Sequence, residues 1–195
     1  MNQFKQKHYH FKLFKPYGFL SQFKSNAKHE QKKKFLSELY DFPEGTMPIG
    51  RLDKNSEGLL LLTTDGQVSF DICSSKSEKE YYVQVDGLID IKAIEQLNAG
   101  VEIGIKGKKY ITQPCKVKRL TTTPIFPDRP QKIRDERHGP TSWISITITE
   151  GKYRQVRKMT SAVGFPTLRL VRVRIDEITL DNLGYGKAEE IDLNS

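Results

Sequence analysis

Short apolar runs set against turn-forming residues divide the chain into short elements. Phe11-Lys12-Leu13-Phe14, followed by Pro16-Tyr17-Gly18, predicts a strand entering a turn. The polar run Lys24–Lys34 reads as a mobile loop or arm. Lys33–Tyr40, with apolar Phe35, Leu36 and Leu39, reads as a short helix ended before Pro43. A stretch rich in turn formers, Met47–Gly58, then releases into Leu59-Leu60-Leu61-Leu62. Four leucines bounded by glycine and Thr-Thr-Asp-Gly predict a strand buried on both faces. Gln67–Ser75 predicts a short helix after the Asp65-Gly66 turn.

The second half is strand-rich. Tyr81, Val83 and Val85 alternate with Tyr82, Gln84 and Asp86, which puts the first three on one face of a half-buried strand. Ile91, Ile94 and Leu97 recur at helical spacing, and Gly100 is placed as a C-cap. Val101–Leu120 reads as strands around a Lys106-Gly107 turn. Pro124–Pro140 holds four prolines and many charges and reads as a loop or insertion. Trp143–Thr149 gives the cleanest alternation. Lys152–Val163 predicts a helix closed by Gly164, with Val156, Met159 and Val163 as its apolar stripe and Arg154, Arg157, Lys158 and Ser161 on a neighbouring face. Leu168–Ile175 alternates again. Many strands, few helices and no regular βαβ order indicate an α+β fold, without internal repeats or a separating linker.

Length and composition narrow the class. With 195 residues the chain makes one domain, or one domain in two lobes. No apolar run exceeds Leu59–Leu62, so no segment reads as a membrane-spanning helix, and the basic N-terminus lacks the apolar core of a secretory signal. Cys73 and Cys115 are too few for a disulfide framework, and the simplest compartment is a reducing cytoplasm. The net charge of +8 is uneven: residues 1–35 carry nine lysines against Glu30 alone. From Gly151 to Arg174 there are seven basic residues and no acid, and from Ile175 onward six acids against Lys187. Such asymmetry suits a polyanion such as nucleic acid; a solubilising tail with solvated faces is the other reading, and charge alone does not choose.

Some chemistry can be set aside. His8, His10, His29 and His138 form no recognised metal spacing, and neither a Gly-x-Ser-x-Gly elbow nor a Walker loop occurs. Asp53 stands out because it sits in a loop just before the most buried strand, where chemistry tends to be placed. Aspartate also serves as a plain turn residue, and the residue type leaves both roles open. Arg154 and Arg157 suit carboxylate pairing or phosphate binding, or else a solvated face. Tyr81 is a core residue or a platform on which a base stacks.

Longer motifs decide between these readings. Gly50-Arg51-Leu52-Asp53-Lys54-Asn55-Ser56-Glu57-Gly58-Leu59-Leu60-Leu61-Leu62-Thr63 resembles the G-R-L-D-x-x-[ST]-x-G-L-L-L-L-T signature of the RsuA-type pseudouridine synthases. Lys79-Glu80-Tyr81 resembles the family's K-x-Y, and Glu150–Met159 its E-G-x-x-R-Q-[IV]-R-[RK]-M. Leu168–Ile175 resembles the strand after it. The motifs occur in family order, and the resemblance spans residues 11 to 186. Phe11–Gly18 is similar to the opening strand of the catalytic domain, and Gly164–Leu170 is similar to the branch that lacks an S4 RNA-binding module. The resemblance therefore implies a basic tail over residues 1–10 and a catalytic domain over 11–195, in two lobes and without an S4 domain. Two departures stand out: Lys24–Lys34 is longer and more basic than the family pattern, and Asp176 replaces a common glycine.

The resemblance implies an α+β fold built on a mostly antiparallel mixed sheet, and an isomerase that needs no cofactor or metal. Its reaction breaks the N1–C1′ glycosidic bond of a uridine, turns the base and joins C5 to C1′. Asp53 is implied as the essential carboxylate, with attack on the sugar, attack on the base and removal of a ribose proton all open. Arg157 takes the position of the basic group paired with that aspartate, and Tyr81 that of the tyrosine stacking on the target base. Arg51, Leu52 and Leu170 are implied as support for the site. Lys152, Arg154, Lys158, Lys32, Lys33 and Lys34 are expected to contact RNA phosphates and to offset the cost of extracting a stacked base. The expected substrate is ribosomal RNA, with 23S (large-subunit) RNA favoured, and the expected protein is a cytoplasmic monomer with no membrane partner. A non-catalytic RNA-binding or ribosome-assembly protein, and an enzyme for small-subunit rRNA or tRNA, are the alternatives.

Overall fold

The computed structural model describes residues 7–30, 32–74, 76–133 and 136–193. The first six residues of the expected tail lie outside this set. The chain divides into two compact units, residues 1–75 with 180–195 and residues 76–179.

The first unit is organised by its leucines. Strands β1 (His10–Lys15), β2 (Met47–Ile49) and β3 (Glu57–Thr63) form its sheet, extended by β11 (Ala188–Glu190) on β1. Both β1 and β2 pair antiparallel with β3, so Leu61 and Leu62 have a strand on either side. All four residues Leu59–Leu62 are fully buried, as a strand covered on both faces requires. Helix α1 (Gly66–Ser74) follows, its start held by the Asp65 carboxylate accepting from Gln67 N.

The segment after β1 departs from expectation. Within Lys33–Tyr40, predicted as a longer helix, only Leu36–Glu38 is helical, as a single 3-10 turn. Its apolar residues serve local packing: Leu36 is buried, and Phe11 of β1, Phe23, Tyr40 and Phe42 form a cluster of tilted and edge-to-face rings. Lys24–Lys34 is also no free arm. Glu30 accepts from Gln22 Nε2, Ser25 Oγ and Lys33 Nζ, and Leu20 N donates to Lys34 O. These bonds hold the Glu30 carboxyl down at a pKa of about 2, Ser25 contributing most and Lys33 next.

The second unit is an antiparallel sheet with two helices on one face. β4 (Lys79–Asp86) lies between β9 (Thr167–Ile175) and β8 (Thr141–Ile148), with β7 (Lys116–Arg119) outside β8 and β10 (Ile178–Thr179) on β9. The predicted alternation holds: Val83, Val85, Ile144, Ile146 and Ile148 face the core with Leu170, while Tyr82, Gln84 and Trp143 lie on the other side. Burial of each such side chain stabilises by roughly 1.5–3 kcal/mol. Helices α2 (Ile91–Ala99) and α3 (Gln155–Ala162) cover this face through Ala93, Leu97, Val156 and Met159. Asp90 caps α2 by accepting from Ala93 N at 2.7 Å. Gly100 ends it at φ +100°, and a Cβ there would stand 2.3 Å from Thr112 O, so only glycine fits.

The hairpin β5 (Glu102–Ile105) and β6 (Lys108–Ile111) turns at Lys106-Gly107 as expected. Helix α3 starts three residues later than predicted, because Arg154 is left-handed at φ +53° and cannot belong to it. Beyond β9, Asp176 turns the chain at φ +46°. That backbone explains a family preference for glycine at this position, and aspartate is among the side chains that tolerate it. Its carboxylate also accepts from Glu78 N at 2.7 Å.

Candidate active site

The motif residues divide between the units: Arg51, Leu52 and Asp53 lie in the first, Tyr81, Arg157 and Leu170 in the second. In the first, the chain leaves β2 through Gly50 at φ +67° and enters the Arg51–Ser56 loop. Leu52 is the anchor. Its side chain is buried, its N–H donates to Ser21 Oγ at 3.0 Å, and its carbonyl accepts from the same hydroxyl at 2.8 Å. Gly18 N donates to Lys54 O at 2.8 Å, and Ser56 N to Asp53 O at 3.0 Å. Asp53 thus sits half-buried in a loop fixed on both sides, ahead of a strand that cannot shift without exposing leucines. Arg51 is exposed.

The neighbouring ends of β1 and β3 carry unusual buried polar groups. Glu57 is fully buried and accepts from Tyr185 OH at 3.3 Å, and that hydroxyl accepts from Tyr17 N at 2.8 Å. Lys15 is equally buried, its ammonium donating to Pro16 O at 3.0 Å and Phe19 O at 2.8 Å. Buried charges persist only when they are bonded in this way. They tie the Pro16–Phe19 turn to β1 and so steady the residues that hold Lys54.

In the second unit Tyr81 lies on the core face of β4, half-buried against the hydrophobic cluster that includes Leu170. It pairs with Ile146 of β8 and Arg172 of β9. The β4–β9 register shifts between Glu80 and Tyr81, a bulge of the kind that re-aims a side chain beside a site. Leu170 is buried opposite Val83. Arg157 is half-buried on α3, whose neighbours Val156 and Met159 join the same cluster. Tyr81, Leu170 and the helix bearing Arg157 are therefore brought onto one core face.

The expected phosphate contacts differ in what they already touch. Lys152 is exposed, its ammonium 5.1 Å above the Tyr110 ring. Arg154 is half-buried at the left-handed turn. Lys158 donates to Gly104 O at 2.6 Å and lies 5.3 Å from the Tyr153 ring centre. Lys32 is exposed, Lys33 pairs with Glu30 at 3.1 Å, and Lys34 stands 5.4 Å above the Phe19 ring. Arg174, counted in the basic stretch, is neutralised by Glu80 at 3.0 Å and Glu78 at 3.1 Å. Its hydrogen bond to Glu80 raises the guanidinium pKa most, with burial acting against it. Burial pushes Glu80 upward, but Ser145 and Arg174 together leave it lowered; Lys116 and then Arg174 lower Glu78.

Sequence reasoning missed the hydrogen bonds of Ser21 to Leu52 and of Glu150 to Tyr110 and Gln155. A serine seven residues past Phe14 carries no signal that it will reach Leu52. Glu150 and Gln155 lie within a motif, but the bond that joins Glu150 to Tyr110 appears only when β6 is placed beside them.

A profile of the family described as RNA pseudouridylate synthase matches residues 9–162, from the start of β1 to the end of α3. That range takes in the aspartate loop, the tyrosine strand and the arginine helix. The protein is thus an isomerase that acts on RNA. It belongs to the RNA pseudouridylate synthase family. Over 181 residues, 92% of the chain, it is 42% identical to ribosomal large subunit pseudouridine synthase E of Vibrio parahaemolyticus and spans 72% of that protein. The protein of the same name from Xanthomonas axonopodis pv. citri is 41% identical over 88% of the chain and 87% of its own length. Among solved structures, a pseudouridylate synthase crystal structure superposes with a TM-score of 0.74 at 27% identity, covering 97% of this chain and 72% of that one.

Proposed function

We propose that this chain converts a uridine of large-subunit (23S) ribosomal RNA to pseudouridine in the cytoplasm. The observation that carries the substrate assignment is its identity of 41–42% with relatives named for the large subunit, over nearly the whole chain. Asp53 is the essential carboxylate: it stands in the family motif, on a loop fixed at Leu52 and Lys54. An ionised carboxylate can attack carbon or remove a proton, and either use needs it held in a defined place. Arg157 occupies the motif position of the basic group that the resemblance pairs with that carboxylate. Tyr81 offers a flat face for the extracted base. Its position beside a strand bulge supports that role, and Leu170 supplies an apolar wall.

Phosphate contacts supply binding energy for unstacking the uridine, which costs a few kcal/mol. Lys152, Arg154, Lys158, Lys32, Lys33 and Lys34 are the residues assigned to this task, and Lys33 and Lys158 also donate to Glu30 and to Gly104 O. The test is to map pseudouridines in ribosomal RNA from cells with and without the gene. Loss of one pseudouridine from the large-subunit RNA is the expected result; loss from small-subunit RNA or tRNA alone refutes the substrate assignment.

A further inference from the structure

We propose that Tyr110, Glu150 and Gln155 form a positioning device that fixes the left-handed turn at Arg154 and thereby aims the guanidinium of Arg157. The inference rests on Arg157 acting in the isomerisation.

Glu150 joins two stretches of the second unit, residues 110–113 and 150–155. One carboxylate oxygen accepts from the Tyr110 hydroxyl of β6. The other accepts from Gln113 N at 2.9 Å and from Gln155 Nε2 at 2.6 Å. Gln155 is the first residue of α3 and is 3% exposed. Its Oε1 accepts from Lys152 N at 3.0 Å, which closes the turn over residues 152–155.

That turn needs such closure. A side-chain-bearing residue in the left-handed region costs roughly 1–2 kcal/mol, and Arg154 makes no side-chain cap for the helix. Such a conformation persists only where neighbouring bonds over-determine it. Gln155 supplies them from inside the turn, and Glu150 with Tyr110 holds Gln155 from outside. The torsions at Arg154 set the direction in which α3 leaves, and Arg157 follows less than one helical turn later. A shift of the turn is therefore delivered directly to Arg157. Tyr110 lies outside every sequence motif, yet its hydroxyl completes the set, and its bond to Glu150 is the main cause that raises the phenol pKa.

The test uses the full chain, with RNA affinity, kcat, KM and thermal melting measured side by side. Tyr110→Phe keeps the ring and removes only the hydroxyl. It should lower kcat about tenfold while RNA Kd stays within about twofold, since the loss falls on placement and not on phosphate binding. Gln155→Glu sets two carboxylates against each other and should lower kcat at least about thirtyfold. Adding Glu150→Gln restores one donor and one acceptor across the pair and should recover at least about tenfold of that loss, a coupling that independent sites do not show. A merely structural role moves the melting temperature and leaves kcat of the folded fraction at the wild-type value. The device is overturned if folded Tyr110→Phe turns over within twofold of an active wild type, if its loss appears in Kd, or if the double variant recovers nothing. Wild-type protein that isomerises no uridine would instead overturn the family function on which the inference rests.

Discussion

Ser21→Ala is a severe change for so small a truncation. The Ser21 hydroxyl serves both backbone groups of Leu52, accepting from its N–H at 3.0 Å and donating to its carbonyl at 2.8 Å. Ser21 is 5% and Leu52 6% exposed, so water has little access to replace it. A buried polar group left without a partner costs about 1–3 kcal/mol, and here two lose theirs. With some relaxation the expected loss is about 2 kcal/mol, or about 4–8 °C in melting temperature for a chain of this size. Asp53 is the next residue, so the loosened loop should also lower kcat by at least about tenfold. Thermal melting by circular dichroism and pseudouridine formation at saturating RNA read the two effects. Ser37→Ala is the control: its hydroxyl donates to Phe23 O at an exposed site, and its removal should cost under about 0.5 kcal/mol. Ser21→Ala melting within about 1 °C of wild type, with turnover within twofold, would refute the anchoring argument.

The remaining predictions concern charge and backbone. Replacing Lys24, Lys28 and Lys32 with glutamine should flatten the salt dependence of RNA binding, by about 0.7–0.9 in log–log slope for each phosphate that is no longer neutralised. Lys33→Gln should leave that slope nearly unchanged and lower stability slightly, because its ammonium already pairs with Glu30. The carboxyls of Glu30, Glu78 and Glu80 all have folded pKa values below their ordinary 4.5, Glu30 at about 2. Their stabilisation is therefore present above about pH 4.5 and lost as the pH falls through each folded pKa, which for Glu30 lies at about 2. Urea midpoints measured from pH 6 to pH 3 should fall on the acid side, less steeply in Glu30→Gln; an identical slope contradicts the Glu30 assignment. Asp176→Val should cost about 1–2 kcal/mol from the left-handed backbone alone, while Asp176→Asn should be nearly neutral. Equal melting of the two variants would refute this.

Elements with strong periodicity were legible in the sequence. Leu59–Leu62 announced a doubly buried strand, the alternation at Tyr81–Asp86 put Val83 and Val85 on the core face, and the alternation at Trp143–Thr149 marked a strand. What periodicity does not encode is an interaction between distant segments. Lys33–Tyr40 has apolar residues enough for a helix, but Tyr40 and Phe42 pack on Phe11, with Phe23 against Phe42, and packing overrides the local preference. The predicted start of α3 was early because nothing in Lys152-Tyr153-Arg154 foretells a left-handed arginine. Counting charges overstated the free cations for the same reason: Arg174 is matched by Glu78 and Glu80, which lie more than ninety residues earlier. The site residues themselves were legible only through the motifs, since an aspartate in a loop and an arginine on a helix each have ordinary structural uses.

The most direct test is tritium release from ribosomal RNA labelled at C5 of uridine, comparing wild-type protein with Asp53→Asn. The substitution preserves shape and removes the charge on which every proposed role of the carboxylate depends. Wild-type protein should release tritium from large-subunit RNA, and Asp53→Asn should bind the same RNA with unchanged affinity yet stay below about one per cent of wild-type activity, a barrier increase of at least about 2.7 kcal/mol. Activity of folded Asp53→Asn above that level would contradict the assignment of Asp53 as the essential carboxylate.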